Sequence, residues 1–137
     1  MKIMGIDYGT KRIGIAISDP WGSMSLPLKT IPVKKDQSHM QQIQQIVQDY
    51  EIEQIVLGMP YNMDGSTGPM AEQVKKWSDV LRQTTGLEVV LWDERLSSFE
   101  AHDLLMKHKV PGKKHQAVVD KIAASLILQS YLEEHPS

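Results

Sequence analysis

Met1-Lys2-Ile3-Met4-Gly5-Ile6-Asp7, then Tyr8-Gly9-Thr10-Lys11, then Arg12-Ile13-Gly14-Ile15-Ala16-Ile17-Ser18: the reading of this stretch decides the fold. The first segment reads as a strand, the second as a tight turn and the third as a second strand. In the third, Ile13, Ile15 and Ile17 share one face and Gly14, Ala16 and Ser18 the other. The small face lets a helix, or a ligand near the turn, approach the sheet closely. Asp7 stands where a buried strand runs into a glycine-containing turn, a place where the sheet fixes a side chain and the turn opens it to solvent. The plainer alternative is an Asp that starts the turn by bonding to backbone further on.

Working outward, Asp19-Pro20-Trp21-Gly22-Ser23 is a turn cluster. Residues 24–31 offer a third strand whose Pro27 suits an edge position. Three strands with short links predict an antiparallel meander. Ser38-His39-Met40-Gln41 then reads as a capping box, with Ser38 as N-cap, and Met40, Ile43, Ile46, Val47 and Tyr50 follow at helical spacing. Gln54-Ile55-Val56-Leu57-Gly58 is a short, continuous apolar run, as in a strand buried on both faces. A loop over 59–68 leads to Pro69 in the first turn of a helix striped with Met70, Val74, Trp77 and Leu81, and Gly86 suits its C-cap. Glu88-Val89-Val90-Leu91-Trp92 is another buried strand, running out at Asp93-Glu94-Arg95. Ser97 with Glu100 makes a second capping box, opening a helix with Phe99, Leu104 and Leu105 that Pro111-Gly112 breaks. The last helix is expected over 116–133, apolar on most of its circumference.

The order βββ-α-β-α-β-α-α defines an α/β protein. Strands separated by helices run parallel through right-handed crossovers, which gives a five-stranded mixed sheet flanked by helices. Ligands bind such sheets beyond the carboxyl ends of the parallel strands. Asp7, the loop after Gly58 and Asp93-Glu94 all fall there.

The 137 residues fit a single domain, 1–137, and 41% hydrophobic with 23% charged content is ordinary for a soluble globular chain. With no cysteine, disulfides and thiolate metal sites are excluded. No apolar run reaches the ~18 residues that span a bilayer, and no signal peptide opens the chain, so the expectation is a cytoplasmic protein with no membrane partner. Net charge is −2, but between Asp103 and Asp120 there is no acid, and Lys107, Lys109, Lys113 and Lys114 fall in that window.

Four carboxylates are candidates for chemistry. Asp7 ends the first strand, Asp93 and Glu94 end the last, and Asp120 interrupts an otherwise apolar helix. Clustered carboxylates repel and are tolerated together when a cation lies between them. Hard oxygen donors suit Mg²⁺ or Mn²⁺, and two such ions ~4 Å apart can activate water for phosphodiester cleavage. Asp120 could instead complement the helix dipole. The Gly58 to Gly68 loop, with Asn62, Asp64 and Gly65, has amides that could hold a phosphate, although it lacks the lysine and glycine spacing of a P-loop. It could equally serve only to reverse the chain. Arg95 could clamp a phosphate or pair with Asp93 or Glu94. Lys113 and Lys114 precede the helix of Asp120 and could guide a nucleic-acid backbone to it.

Gly5-Ile6-Asp7-Tyr8-Gly9-Thr10-Lys11-Arg12-Ile13-Gly14, Gly58-Met59-Pro60-Tyr61-Asn62-Met63-Asp64-Gly65, Asp93-Glu94-Arg95-Leu96-Ser97 and Asp120-Lys121-Ile122-Ala123-Ala124 together resemble motifs of the YqgF/RuvX family. Its members are small bacterial proteins assigned to Holliday-junction resolution or to nuclease processing of the 5′ end of pre-16S rRNA. The match runs over essentially the whole chain, in order. The resemblance implies an RNase H-like fold and a metal-dependent phosphodiesterase centre using Mg²⁺ or Mn²⁺. It also implies cleavage of structured RNA or branched DNA to 5′-phosphate and 3′-hydroxyl ends. Carried onto this sequence, the catalytic and metal-binding acids are Asp7, Asp120 and one or both of Asp93 and Glu94. The expected substrate contacts, on the reading of the residues, are Thr10, Lys11, Arg12, Asn62, Asp64, Gly65, Arg95, Lys113 and Lys114.

One departure matters. RuvC-type resolvases carry a catalytic Glu on the strand after the first helix, and Gln54-Ile55-Val56-Leu57-Gly58 contains no acid. The missing carboxylate falls to Asp93 or Glu94, or the site is degenerate. Strand parity puts those two on opposite faces without saying which faces Asp7; the reach of Glu94 favours it slightly. Two rivals remain. Asp7-Tyr8-Gly9-Thr10 also resembles the phosphate-cradling hairpin of actin-like and sugar-kinase ATP-binding proteins, which need two related domains. A non-catalytic nucleic-acid or protein-binding module on the same fold is the other. Nothing in the sequence marks a dimer seam, so monomer and homodimer are both open.

Overall fold

The computed structural model describes residues 1–96 and 112–135, with side chains described from residue 116 onward in the second stretch. Strands β1 (Ile3–Tyr8), β2 (Arg12–Ser18) and β3 (Ser25–Pro32) are followed by α1 (Ser38–Asp49), β4 (Gln54–Met59), α2 (Pro69–Thr85) and β5 (Glu88–Asp93). A 3₁₀ turn (Glu94–Leu96) ends β5, and α3 (Gly112–Glu134) is the last helix described.

The strands form one sheet in the order β3-β2-β1-β4-β5. β1 pairs antiparallel with β2, and β2 with β3; β1 pairs parallel with β4, and β4 with β5. This is the expected mixed sheet: a meander extended by two crossover strands. β3 lies at the edge, and its register with β2 shifts between Ile15 and Ala16, so that Pro27 pairs with Ala16 and Leu28 is passed over.

The period-2 alternation sorts the side chains into two layers. Met4, Ile6, Ile13, Ile15, Ile55 and Leu57 are completely buried on one face, against Ile43 of α1 and Val74, Trp77 and Leu81 of α2. Each such aliphatic side chain contributes about 1.5–3 kcal/mol of burial as an upper estimate. Tyr8 stacks on Trp77 at 4.3 Å between ring centroids. On the other face Ile3, Ala16 and Val56 meet Ala124, Ile127 and Leu128 of α3. The small face of β2 is therefore the bed of a helix. Gly5 and Gly14 carry that contact: a Cβ on Gly5 would come within 2.7 Å of Leu128 Cβ, and one on Gly14 would overlap the carbonyl oxygen of Asp120. Ser25 Oγ donates to the Ser125 carbonyl (2.8 Å) and Thr30 Oγ1 to that of Ala117 (2.5 Å), tying β3 to the same helix.

α2 begins at Pro69, as expected, and ends at Gly86, whose φ of 70° is left-handed and whose N–H donates to the Arg82 carbonyl. The start of α1 differs from expectation. Ser38 is its first residue rather than its cap, Gln37 takes the N-cap position with φ 64°, and no side chain caps the helix. The reason is local: the Asp36 carboxylate accepts both the Ser38 N–H (3.0 Å) and its hydroxyl, closing a turn ahead of the helix. The last helix starts at Gly112, not at 116, and Pro111 lies outside the described residues. Lys113 and Lys114 are in its first turn, and their side chains lie outside the described residues. The second capping box of Ser97 and Glu100, with Phe99, Leu104 and Leu105, also lies outside them. Among the described residues no helix is long and apolar enough to cross a membrane.

Candidate active site

Asp7, next to last in β1, falls on the α3 face, because Ile3 and Gly5 before it pack there. It sits opposite Gly14 in the antiparallel register. The turn that follows is closed by the Gly9 N–H donating to the Arg12 carbonyl at 2.9 Å. Two strands away, Trp92 packs on the same face, so Asp93 turns to the other and Glu94 returns. Glu94 reaches back across β4 over Gly58, where a Cβ would lie within 2.7 Å of its Oε1 and of Ile127 Cδ1. The absent side chain of Gly58 is the space Glu94 occupies.

There Glu94 meets Asp7. The two carboxyl groups share a hydrogen bond, and the Glu94 carboxyl is pushed up to about 8. Burial is the main cause, followed by the Asp7 charge, the hydrogen bond to Asp7 and, least, the Asp93 charge. Two carboxylates this close in a half-buried place share a proton or a cation.

Asp93, on the other face, is spoken for. Its carboxylate accepts from Arg95 Nε (3.0 Å), Nη2 (2.7 Å) and N–H (2.9 Å), and the Arg95 guanidinium holds its pKa below the usual range. Arg95 Nη1 also donates to the carbonyls of Asn62 and Met63, both at 3.2 Å, and its guanidinium lies 5.7 Å from the centre of the Tyr61 ring. Arg95 thus fastens the β4–α2 loop to the end of β5. Within that loop the Asn62 carbonyl accepts the Gly65 N–H (2.8 Å), Asn62 Nδ2 donates to Ser66 Oγ (3.0 Å), and Asp64 accepts the Ser66 amide (2.9 Å) and hydroxyl (2.6 Å). Gly65, at φ 87°, has the left-handed conformation that this turn requires. Asn62, Asp64 and Gly65 are engaged in building the loop, and Met63 is left 86% exposed at its tip.

Asp120 arrives on α3 with its backbone against Gly14, the partner of Asp7. Its side chain is held by Arg12: Nε donates to Oδ2 at 2.7 Å, and Arg12 Nη2 donates to Gln116 Oε1 at 3.3 Å. Thr10 and Lys11 are exposed in the hairpin turn, and the Lys11 carbonyl accepts the Val33 N–H.

The expected convergence of four carboxylates is therefore reduced in the structure to the pair Asp7 and Glu94. Asp93 is removed by strand parity and Arg95, and Asp120 by Arg12. Among the described residues no three acidic or imidazole side chains gather as a metal-binding group. The pair still suits a hard divalent cation, since Mg²⁺ is commonly held by one or two carboxylates with waters completing its octahedron. A cation would also relieve the repulsion that raises the Glu94 pKa. The sequence reading passed over Gln116 and the role of Gly58 beneath Glu94. The spacing of Gln116 and Asp120, one helical turn apart, is the signal that puts both within reach of one arginine.

A five-stranded mixed sheet in this order, flanked by helices, is the RNase H-like fold. The chain superposes on Thermus thermophilus RuvC with a TM-score of 0.60, covering 98% of this chain and 96% of that one at 13% identity. The fowlpox virus Holliday junction resolvase gives 0.56, with 98% and 99% covered at 15% identity. At the level of family, the RuvX model, described as Holliday junction resolvase, matches residues 1–134, and the chain belongs to that family. Relatives named "Putative pre-16S rRNA nuclease" are 46% identical in Halothermothrix orenii, over 96% of this chain and 94% of that protein, and 43% identical in Listeria monocytogenes serotype 4b, over 97% and 98%.

Proposed function

We propose that residues 1–137 form a single nuclease domain that hydrolyses phosphodiester bonds in structured nucleic acid in the cytoplasm, with Asp7 and Glu94 at its catalytic centre and Mg²⁺ or Mn²⁺ as cofactor. The observation that carries this reading is the shared, half-buried Asp7–Glu94 pair at the carboxyl ends of β1 and β5, in a chain of the RuvX family. Asp7 and Glu94 would hold the cation, which would supply a water of lowered pKa and neutralise charge developing on the phosphate. Gly58 leaves room for Glu94, and the α3 face closes over the pair. Asp93 acts through Arg95, orienting the guanidinium and the loop it fastens. The exposed hairpin turn with Thr10, Lys11 and Arg12 is placed to receive the nucleic-acid backbone, and the first turn of α3 carries Lys113 and Lys114 toward the same end.

The names of the relatives support a precursor of 16S rRNA as substrate. The description of the family model favours branched DNA as the second reading. Incubating one preparation with a 16S precursor leader and with a four-way DNA junction, in Mg²⁺ and in EDTA, tests both. The expected result is Mg²⁺-dependent cleavage of one substrate to 5′-phosphate and 3′-hydroxyl ends. Binding without cleavage of either would establish instead a non-catalytic module on this fold.

A further inference from the structure

Asp120 is delivered to the site and then withheld from it. The turn of α3 that bears it rests on Gly14, directly across the ladder from Asp7. Paired residues in an antiparallel ladder are about 4.5–5.5 Å apart at Cα. With no side chain on Gly14, this turn of α3 comes close to the strand paired with β1. Yet the carboxylate is bonded to Arg12, two residues back along β2 on the same face. The pair is part-buried, with Arg12 39% and Asp120 18% accessible, and the second bond of Arg12, to Gln116, is long at 3.3 Å and exposed. Solvent therefore reaches the guanidinium side of the pair, where a competing anion can approach it. Arg12 follows directly on the exposed turn that faces incoming nucleic acid, and its fork suits a phosphate at least as well as a single carboxylate oxygen.

We propose that Arg12 is a positioning residue that keeps Asp120 away from the Asp7–Glu94 pair until a substrate phosphate takes its place on the guanidinium. The released carboxylate then turns to the pair and adds a third oxygen donor for the cation. Cation binding is thereby coupled to the presence of substrate, and the centre assembles fully only on nucleic acid. By reciprocity, cation and nucleic acid each tighten the binding of the other. This rests on the reading of Asp7 and Glu94 as the cation site.

The test needs no turnover. Mn²⁺ is titrated calorimetrically into nucleic-acid-free wild type, Arg12→Gln, Asp120→Asn, the double variant and Asp7→Asn. Arg12→Gln is expected to bind Mn²⁺ about tenfold more tightly than wild type, a change of the size seen when groups around a metal site are altered. Asp120→Asn is expected to abolish the gain in the double variant. In EDTA, Arg12→Gln should lower the salt slope of binding to an RNA hairpin by about one. Should Arg12→Gln not fold, Arg12→Lys carries the same comparison, with a smaller gain expected because an ammonium grips the carboxylate less rigidly. An Asp7-dependent Mn²⁺ site that is no tighter in the Arg12 variant overturns the exchange, as does a gain that persists in the double variant. Mn²⁺ binding that survives Asp7→Asn unchanged overturns the cation-site reading and the exchange with it.

Discussion

Without a cation, burial first and the neighbouring Asp7 charge second oppose ionisation of Glu94 and favour its protonated form at neutral pH. Its carboxyl is raised from an ordinary 4.5 to about 8, so the unfolded chain gives up this proton before the folded one does. The stability it contributes is fully present below about 4.5 and is lost as pH rises through about 8. Asp93, held below its usual range by Arg95, acts in the opposite sense, and its contribution is lost only in acid. Melting temperatures in EDTA should therefore fall between mildly acid and mildly alkaline pH. Mg²⁺ should flatten that slope, and Asp7→Asn should flatten it in part without Mg²⁺, since the burial of Glu94 remains. A slope indifferent to both would show that Asp7 contributes nothing to raising Glu94. How much of this was legible in the sequence differs by residue. Alternation along β5 separates Asp93 from Glu94 but is symmetric between the two faces. Only the seating of α3 on Gly5 and Gly14 shows which face holds Asp7. The capture of Asp120 by Arg12 joins residues 108 apart through one side-chain conformation, which no local pattern encodes.

At the scale of elements, the decisive contact is α3 on the glycine and alanine stripe of β1 and β2. Gly14→Ala drives a methyl into the Asp120 backbone, which cannot yield as a flexible side chain does. A loss of about 1–3 kcal/mol in chemical denaturation is expected, as for other overpacked contacts. Gly58→Ala first meets side-chain atoms, Oε1 and Cγ of Glu94 and Cδ1 of Ile127, rather than backbone, and these side chains can swing aside. That variant should fold, yet bind Mg²⁺ more weakly because Glu94 is displaced. If Gly58→Ala binds Mg²⁺ as wild type does, Glu94 is not a ligand. The small face of β2 was readable from Gly14-Ala16-Ser18, as were the buried strands and the Pro69 and Gly86 boundaries of α2. The start of α1 was not: Ser38 with Gln41 has the letters of a capping box, but Asp36 two residues earlier competes for the same amide and takes it.

For the whole molecule, a net charge of −2 gives no general attraction to nucleic acid, so binding must be local. The proposed local surface is the first turn of α3, with Lys113 and Lys114, together with Lys11 and Arg12 at the β1–β2 hairpin. Replacing Lys113 and Lys114 by Ala should weaken binding to RNA or junction DNA and reduce the salt slope by about two. An unchanged slope would remove that turn from the binding surface. The central claim is that this fold cuts nucleic acid with the Asp7–Glu94 pair. Its most direct test is cleavage by wild type, Asp7→Asn and Glu94→Gln, each shown to be folded, on the substrate that wild type cuts in Mg²⁺. The account predicts that both variants bind this substrate and cut it no faster than buffer does. Cleavage by Asp7→Asn at the wild-type rate would contradict it.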